Sequence, residues 1–248
     1  MDERQQLGSQ TARNGFRNED DIVEKFNNWE NDAEAQIWLQ IMQYDLNEIE
    51  NVTAVKIFRE KTDVQAQITI KLRGVIDAQN MQVKLVSNPK GFNQIDKRWL
   101  DTYNILWNIP NEVLGILKRY TGEILPNIEN PKDARRMFAN EFTAKEQTLV
   151  LNWLVNNKTM IISDILRGRG RLAAEWMLVA QKQQANSRWI LKPMNFCVNF
   201  FGNGEVLITK QGNFKIGKIT MQRKGGDNGR HTANMLQFKI NPAELFDE

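Results

Sequence analysis

A single cysteine, Cys197, and a single histidine, His231, stand in a chain of 248 residues. One thiol excludes an intrachain disulfide and a zinc site built from several thiolates, and it suits a reducing compartment. His231 has no nucleophile or orienting partner among its sequence neighbours, so histidine-based acid–base chemistry has little to build on. No run reaches the roughly 18 apolar residues that a membrane span requires. The opening stretch MDERQQLGSQ is polar and acidic and lacks the apolar centre of a signal peptide. The expectation is a cytoplasmic protein with no membrane partner. Internal repeats, low-complexity tracts and flexible linkers are also missing, which favours one domain over residues 1–248.

What is present suits a substantial core: 41% of residues are hydrophobic and 25% charged. The net charge of +3 hides an asymmetry. Residues 1–60 hold thirteen acids against six Lys or Arg, whereas residues 167–230 hold twelve Lys or Arg against three acids. A concentrated basic segment in a nearly balanced chain suits a polyanion-binding face, or simply a solubilising surface.

Residues 18–45 carry Ile22, Phe26, Trp29 and then Ile37, Ile41, Tyr44 at helical spacing, with a break expected near Asn31. Residues 52–58 read as a strand. Asp63 to Ile70 then alternates with period two, placing Val64, Ala66, Ile68 and Ile70 on a buried face. Residues 71–79 read as a turn, and 81–85 alternate again. Two short helices are expected over 98–120, divided near Ile109-Pro110, and another over 144–157. Thr143 with Gln147 is one residue too long for a capping box, leaving Thr143 as a simple cap. From Trp189 onward, aromatic and β-branched segments between Gly and Asn turns predict an antiparallel sheet ending near 235–240. The fold class is α+β with a mixed sheet.

Asp63 and the pattern Gln82-x-Lys84 carry the chemistry. Residues two apart on a strand leave the same face roughly 6–7 Å apart. Asp63 has the parity of the polar face of its own strand. A hairpin-like pairing can therefore gather a carboxylate, an amide oxygen and an ammonium around one cleft. Hard oxygen ligands suit Mg²⁺, and a lysine can orient water and offset phosphate charge. The same spacing also fits an ordinary half-exposed sheet.

Longer segments narrow this choice. GFRNE at 15–19, KTD at 61–63, NMQVKLVSNPKGFNQIDKRWL at 80–100 and TGEILP at 121–126 resemble, in one order, type II restriction endonucleases that recognise GCGC. The likeness continues through DARRMF at 133–138, DILRGRGRLAAEW at 164–176, MQRKGGDNGRHTANMLQFKI at 221–240 and ELF at 244–246. These enzymes resemble the PD-(D/E)-x-K nuclease superfamily. The resemblance implies a central mixed sheet flanked by helices, with an antiparallel C-terminal portion. It implies Asp63 and Gln82 as metal ligands, Lys84 as the catalytic lysine and Glu19 as an accessory carboxylate. Gln82 departs from the superfamily's acidic ligand but matches this branch, and Thr62 stands where the branch carries serine. A lone glutamate in this position also suits an ordinary helix surface.

The implied reaction is Mg²⁺-dependent hydrolysis of double-stranded DNA at GCGC, with two ions in the catalytic complex. Cutting after the first G, by Mg²⁺-activated water, would leave 5′-CG overhangs. A non-catalytic DNA-binding module or a nicking or repair nuclease is the alternative. Phe92 and Gln94 match residues that enter the DNA at its central steps, beside Lys90 and Asn93 in the same expected loop. The bland reading makes Phe92 a loop anchor and Gln94 the cap of a helix starting near Asp96. Arg167, Arg169 and Arg171, interleaved with glycines, can grip phosphate or read guanine. Gln222, Arg223, Lys224, Asn228 and Arg230 have the same character. No obligate protein partner is expected, monomeric catalysis is favoured, and self-association through another face stays open.

Overall fold

The computed structural model of the chain describes residues 3–58, 60–70, 75–88, 91–183, 186–226 and 230–247. The chain divides into two compact units. Unit 1 holds residues 1–91, 167–197 and 241–248, and unit 2 holds 92–166 and 198–240.

Unit 1 opens with α1 (Glu3–Asn27), a single 3-10 turn (Trp29–Asn31) and α2 (Ala33–Ile41). The break expected near Asn31 is there, and Asp32 caps α2 by accepting the Ala35 N–H at 3.0 Å. Five strands follow: β1 (Ile49–Lys56), β2 (Val64–Ile70), β3 (Val75–Val86), β5 (Trp176–Gln183) and β6 (Asn186–Pro193). They form a sheet in the order β1-β2-β3-β5-β6, antiparallel throughout except for the parallel pair β3–β5. The chain between those two strands carries most of unit 2. Ile22 and Phe26, one helical turn apart on α1, are buried with Val64, Ala66, Ile68, Met81, Val83 and Leu178 in one core. The alternation read from β2 holds at Val64, Ala66 and Ile68, while the Ile70 side chain lies outside the described residues. Met177, Leu178, Val179 and Ala180 are all fully buried, as a parallel strand covered on both faces requires. The expected turn over 71–79 is corrected at its end: residues 75–79 already belong to β3, paired with β2.

Unit 2 holds β4 (Asn93–Arg98), α3 (Leu100–Trp107), α4 (Asn111–Thr121), α5 (Ala144–Asn156) and α6 (Lys158–Leu166). Its second segment supplies β7 (Val206–Ile208), β8 (Phe214–Ile216), β9 (Ile219–Arg223) and β10 (Leu236–Ile240). These strands make an antiparallel sheet in the order β4-β10-β9-β8-β7. Tyr103 and Trp107 stack at 4.3 Å between ring centroids, and the Phe238 ring meets both edge-on. The helix division near Ile109-Pro110 is as expected. Thr143 does form a capping box, but with Glu146: the Glu146 N–H donates to Thr143 Oγ1 at 3.3 Å, and the Thr143 N–H donates to Glu146 Oε2 at 2.9 Å. That partner sits at the third helical position, where the motif needs it.

One segment reverses its expectation. Residues 194–202 form helix α7 (Met194–Gly202) instead of sheet. Met194, Cys197 and Phe201, at intervals of three and four, are all buried, so helical burial overrides the β-propensity of the aromatics. Burial also pushes the Cys197 thiol up to about 12, which keeps it an inert core group. Among the described residues, no helix is long and apolar enough to cross a membrane.

Candidate active site

β1 ends at Lys56 and the chain returns to β2 through residues 57–63. The Ile57 N–H donates to the Asp63 carbonyl at 2.9 Å, and the Asp63 N–H donates to the Met81 carbonyl at 2.8 Å. Asp63 is thereby fixed at the mouth of β2. The β2–β3 register pairs Val64 with Met81 and Gln65 with Asn80. Continuing it by one residue sets Asp63 opposite Gln82, on one face of the sheet. Asp63 Oδ2 accepts the N–H of Val83, the residue between Gln82 and Lys84, at 2.6 Å. Lys84 Nζ lies 3.6 Å from the same oxygen. Met81 and Val83 are anchored in the core. The structure therefore brings Asp63, Gln82 and Lys84 together.

Two features of this cluster are costly for a resting fold. Gln82 is only 2% exposed, and its Oε1 has no hydrogen-bond donor. A buried acceptor left in that state costs on the order of 1–3 kcal/mol. Glu19, on α1, has its carboxyl pushed up to about 7, first by burial and next by the charge of Asp63. Lys56 and Lys84 pull it the other way. Lys56 also pairs with Asp20 at 2.6 Å and lies 5.8 and 5.9 Å from the exposed rings of Phe16 and Phe58. Beside Glu19, Asn18 is 1% exposed and neither of its amide atoms finds a partner. It occupies the buried stripe of α1 with Ile22 and Phe26, a polar residue at an apolar spacing that reasoning from the sequence passed over.

Crowded carboxyl groups and a buried oxygen without a donor are an environment that a hard cation relieves. Among the described residues, no three His, Cys, Asp or Glu side chains form a metal-sized group. The available donors are a carboxylate, Asp63, and an amide oxygen, Gln82, which fits Mg²⁺ because that ion usually keeps several waters.

The Arg-Gly segment adjoins this cluster. Arg167, Arg169 and Arg171 are exposed on a loop between α6 and β5 that closes on itself, the Ala174 N–H donating to the Arg167 carbonyl at 2.7 Å. Gly168 has φ +77°, and a Cβ there would lie 2.4 Å from Cγ of Lys61, so the loop needs glycine where it passes the turn before Asp63. Thr62, fully buried, donates through Oγ1 to the Leu172 carbonyl at 2.7 Å.

The remaining candidates lie in unit 2, apart from Lys90 and Asn228, which are outside the described residues. Phe92 is 56% exposed. Asn93 and Gln94, expected in a loop, open strand β4, which also removes the helix considered near Asp96. Gln94 Oε1 accepts from Gln237 Nε2 at 2.9 Å, and Gln237 stands opposite Gln222 in the β9–β10 register. Gln222 and Arg223 are likewise strand and not flexible loop. Arg223 donates through Nε to the Thr121 carbonyl at 2.8 Å and through Nη2 to Asn234 Oδ1 at 2.7 Å. Lys224 is half-buried, its N–H bonded to the Met235 carbonyl, and Arg230 is exposed before the short turn that starts at His231.

The model of the R.HinP1I restriction endonuclease family matches residues 42–246. This chain belongs to that family. It is a restriction endonuclease of the PD-(D/E)-x-K superfamily, in which a divalent-metal-dependent nuclease mechanism is the rule. The fold agrees. The crystal structure of restriction endonuclease MspI in complex with its cognate DNA superposes with a TM-score of 0.67, over 95% of this chain and 92% of that one. Their sequence identity is 15%, so this likeness speaks for the fold alone. The curated proteins contain no match. Within the R.HinP1I family frame, the mixed sheet of unit 1 is the superfamily's central sheet and the antiparallel sheet of unit 2 is the C-terminal portion.

Proposed function

We propose that the chain cuts both strands of double-stranded DNA at GCGC, after the first G, leaving 5′-CG overhangs, with Mg²⁺ held by Asp63 and Gln82. The observation that carries this reading is the buried, donorless Oε1 of Gln82 next to an Asp63–Lys84 pair. Family membership and the long matching segments support GCGC as the target. When bound, Mg²⁺ supplies Lewis-acid polarisation of the phosphate and eases deprotonation of water.

The chain's own residues do the rest. Asp63 is oriented by the Val83 N–H, and it holds the Lys84 ammonium on the same side of the sheet. Lys84 offsets the charge that accumulates on the phosphate oxygens and orients the attacking water. Glu19, buried beside Asp63, takes up the proton that water releases. Attack at phosphorus breaks the bond to the 3′ oxygen, which takes a proton from a solvent water, giving a 5′-phosphate and a 3′-hydroxyl without a covalent enzyme intermediate. All of these groups come from one chain, so a single protomer can carry out the cut. Arg167, Arg169 and Arg171 grip the backbone beside the scissile bond, while Phe92 and Gln94 enter the base steps and Arg223 reads guanine. The compartment is the cytoplasm.

An end-labelled duplex with one GCGC site, incubated with the protein and Mg²⁺, tests this directly. Both strands should be cut at the stated bond, and a chelator should stop the reaction. Binding without cleavage would make the chain a recognition module, and cleavage of one strand would make it a nicking enzyme; either result overturns the proposal.

A further inference from the structure

Two buried side chains that the reaction does not use each stand next to a residue that it does. Thr62 precedes Asp63, and Asn80 lies two residues before Gln82 on β3. Thr62 donates to the Leu172 carbonyl at 2.7 Å. Asn80, 5% exposed, donates through Nδ2 to the Arg171 carbonyl at 2.9 Å and the Ala173 carbonyl at 3.2 Å. Three consecutive carbonyls of the arginine loop are thus held by two side chains of the catalytic hairpin. Further contacts stiffen the joint. Asn80 Oδ1 accepts from Gln65 Nε2 at 2.9 Å, and the Asn80 carbonyl accepts the Glu175 N–H at 2.8 Å. Gly168 leaves room for Lys61 alone.

We infer that Thr62 and Asn80 are positioning residues that couple DNA engagement by the arginine loop to the placement of Asp63 and Gln82. The inference rests on the nuclease reading above. Physically, phosphate contacts at Arg167, Arg169 and Arg171 fix the loop, and the loop fixes the two strand positions through hydrogen bonds from two buried side chains. Thr62 and Asn80 are themselves buried, so removing either donor unties the loop backbone from the strand beside it. A loop that served only as an electrostatic patch would not need its backbone tied to the catalytic turn.

Thr62→Val keeps shape and removes the donor, and Thr62→Ser restores the donor with less bulk. Single-turnover cleavage of saturating GCGC duplex should slow by about tenfold or more in Thr62→Val. Duplex Kd, measured without divalent metal, should stay within about twofold. Thr62→Ser should recover the rate. Asn80→Leu should behave as Thr62→Val does. A second readout does not depend on cutting: duplex binding should slow hydrogen exchange at the Val83 amide in the wild type, and this transfer should vanish in Thr62→Val while residues 167–174 remain protected. Wild-type cleavage by Thr62→Val, or Ser failing to rescue, overturns the coupling and leaves the nuclease reading intact. If the wild type does not cut GCGC, the nuclease reading fails, and an unchanged Val83 response on any duplex it binds overturns the coupling separately.

Discussion

The two units of this molecule differ in where their unsatisfied buried polar groups stand. In unit 2, Asp164 is 4% exposed and accepts the Trp107 indole N–H at 2.8 Å, and Gln237, 6% exposed, donates to Gln94. In unit 1, Gln82 Oε1 and both amide atoms of Asn18 are buried without a partner, and Glu19 is crowded by Asp63. Buried polar groups are normally satisfied, so an exception marks either strain or a site whose partner arrives later. In unit 1 these exceptions gather around Glu19 and the Asp63–Lys84 pair, whereas in unit 2 the Tyr103 hydroxyl, also without a partner, belongs to an aromatic core.

The comparison breaks most visibly at the hairpin of unit 1. Asp63→Ala and Lys84→Ala should each lower single-turnover cleavage by roughly a thousandfold while leaving duplex binding measurable. Full activity in either would remove the chemistry from this sheet. Unit 2 should show the reverse pattern. Trp107→Phe leaves Asp164 without its indole donor and should cost about 1–3 kcal/mol of stability, read by thermal unfolding, with little change in the cleavage rate of the folded fraction. A matching loss of rate would show that the antiparallel sheet also serves catalysis.

Arg169→Ala should weaken binding to cognate and mismatched duplexes alike and make the salt dependence shallower by about one unit. A loss confined to GCGC would instead make that side chain a base reader. A pH-dependent effect belongs to Glu19. An acid raised from 4.5 to about 7 binds more protons folded than unfolded across that window, so it lowers stability as pH rises from 4.5 through 7. In chelator, Tm of the wild type should fall over that range more steeply than Tm of Glu19→Gln. Parallel curves would show that Glu19 is not held in the crowded cleft.

The convergence of Asp63, Gln82 and Lys84 was legible because it rests on strand parity and a short return, both local properties. The C-terminal sheet was legible in its segments between Gly and Asn turns, and the resemblance supplied the central sheet's place in the fold. What stayed hidden depends on distant partners. The Thr62 and Asn80 bonds span 110 and 91 positions, and although both residues lie in matching segments, nothing in those segments names their distant partners. Asn93 and Gln94 look like loop until β10 arrives to pair with them. Residues 194–202 carry aromatics that favour strand, and only their interval of burial reveals a helix. Charge content flagged Arg223 without showing that Thr121 and Asn234 hold its guanidinium. That Gln82 is buried without a donor could not be read from a residue assigned to a polar face.

Gln82→Leu, measured for both Tm and Mg²⁺-dependent cleavage of a GCGC duplex, tests the central claim most directly. An apolar isostere removes the donorless oxygen, so the metal-free protein should gain roughly 1 kcal/mol of stability while cleavage falls by about 10- to 100-fold. A variant that is less stable and cuts at the wild-type rate would contradict the account, because the amide oxygen would then be serving the fold and not the metal.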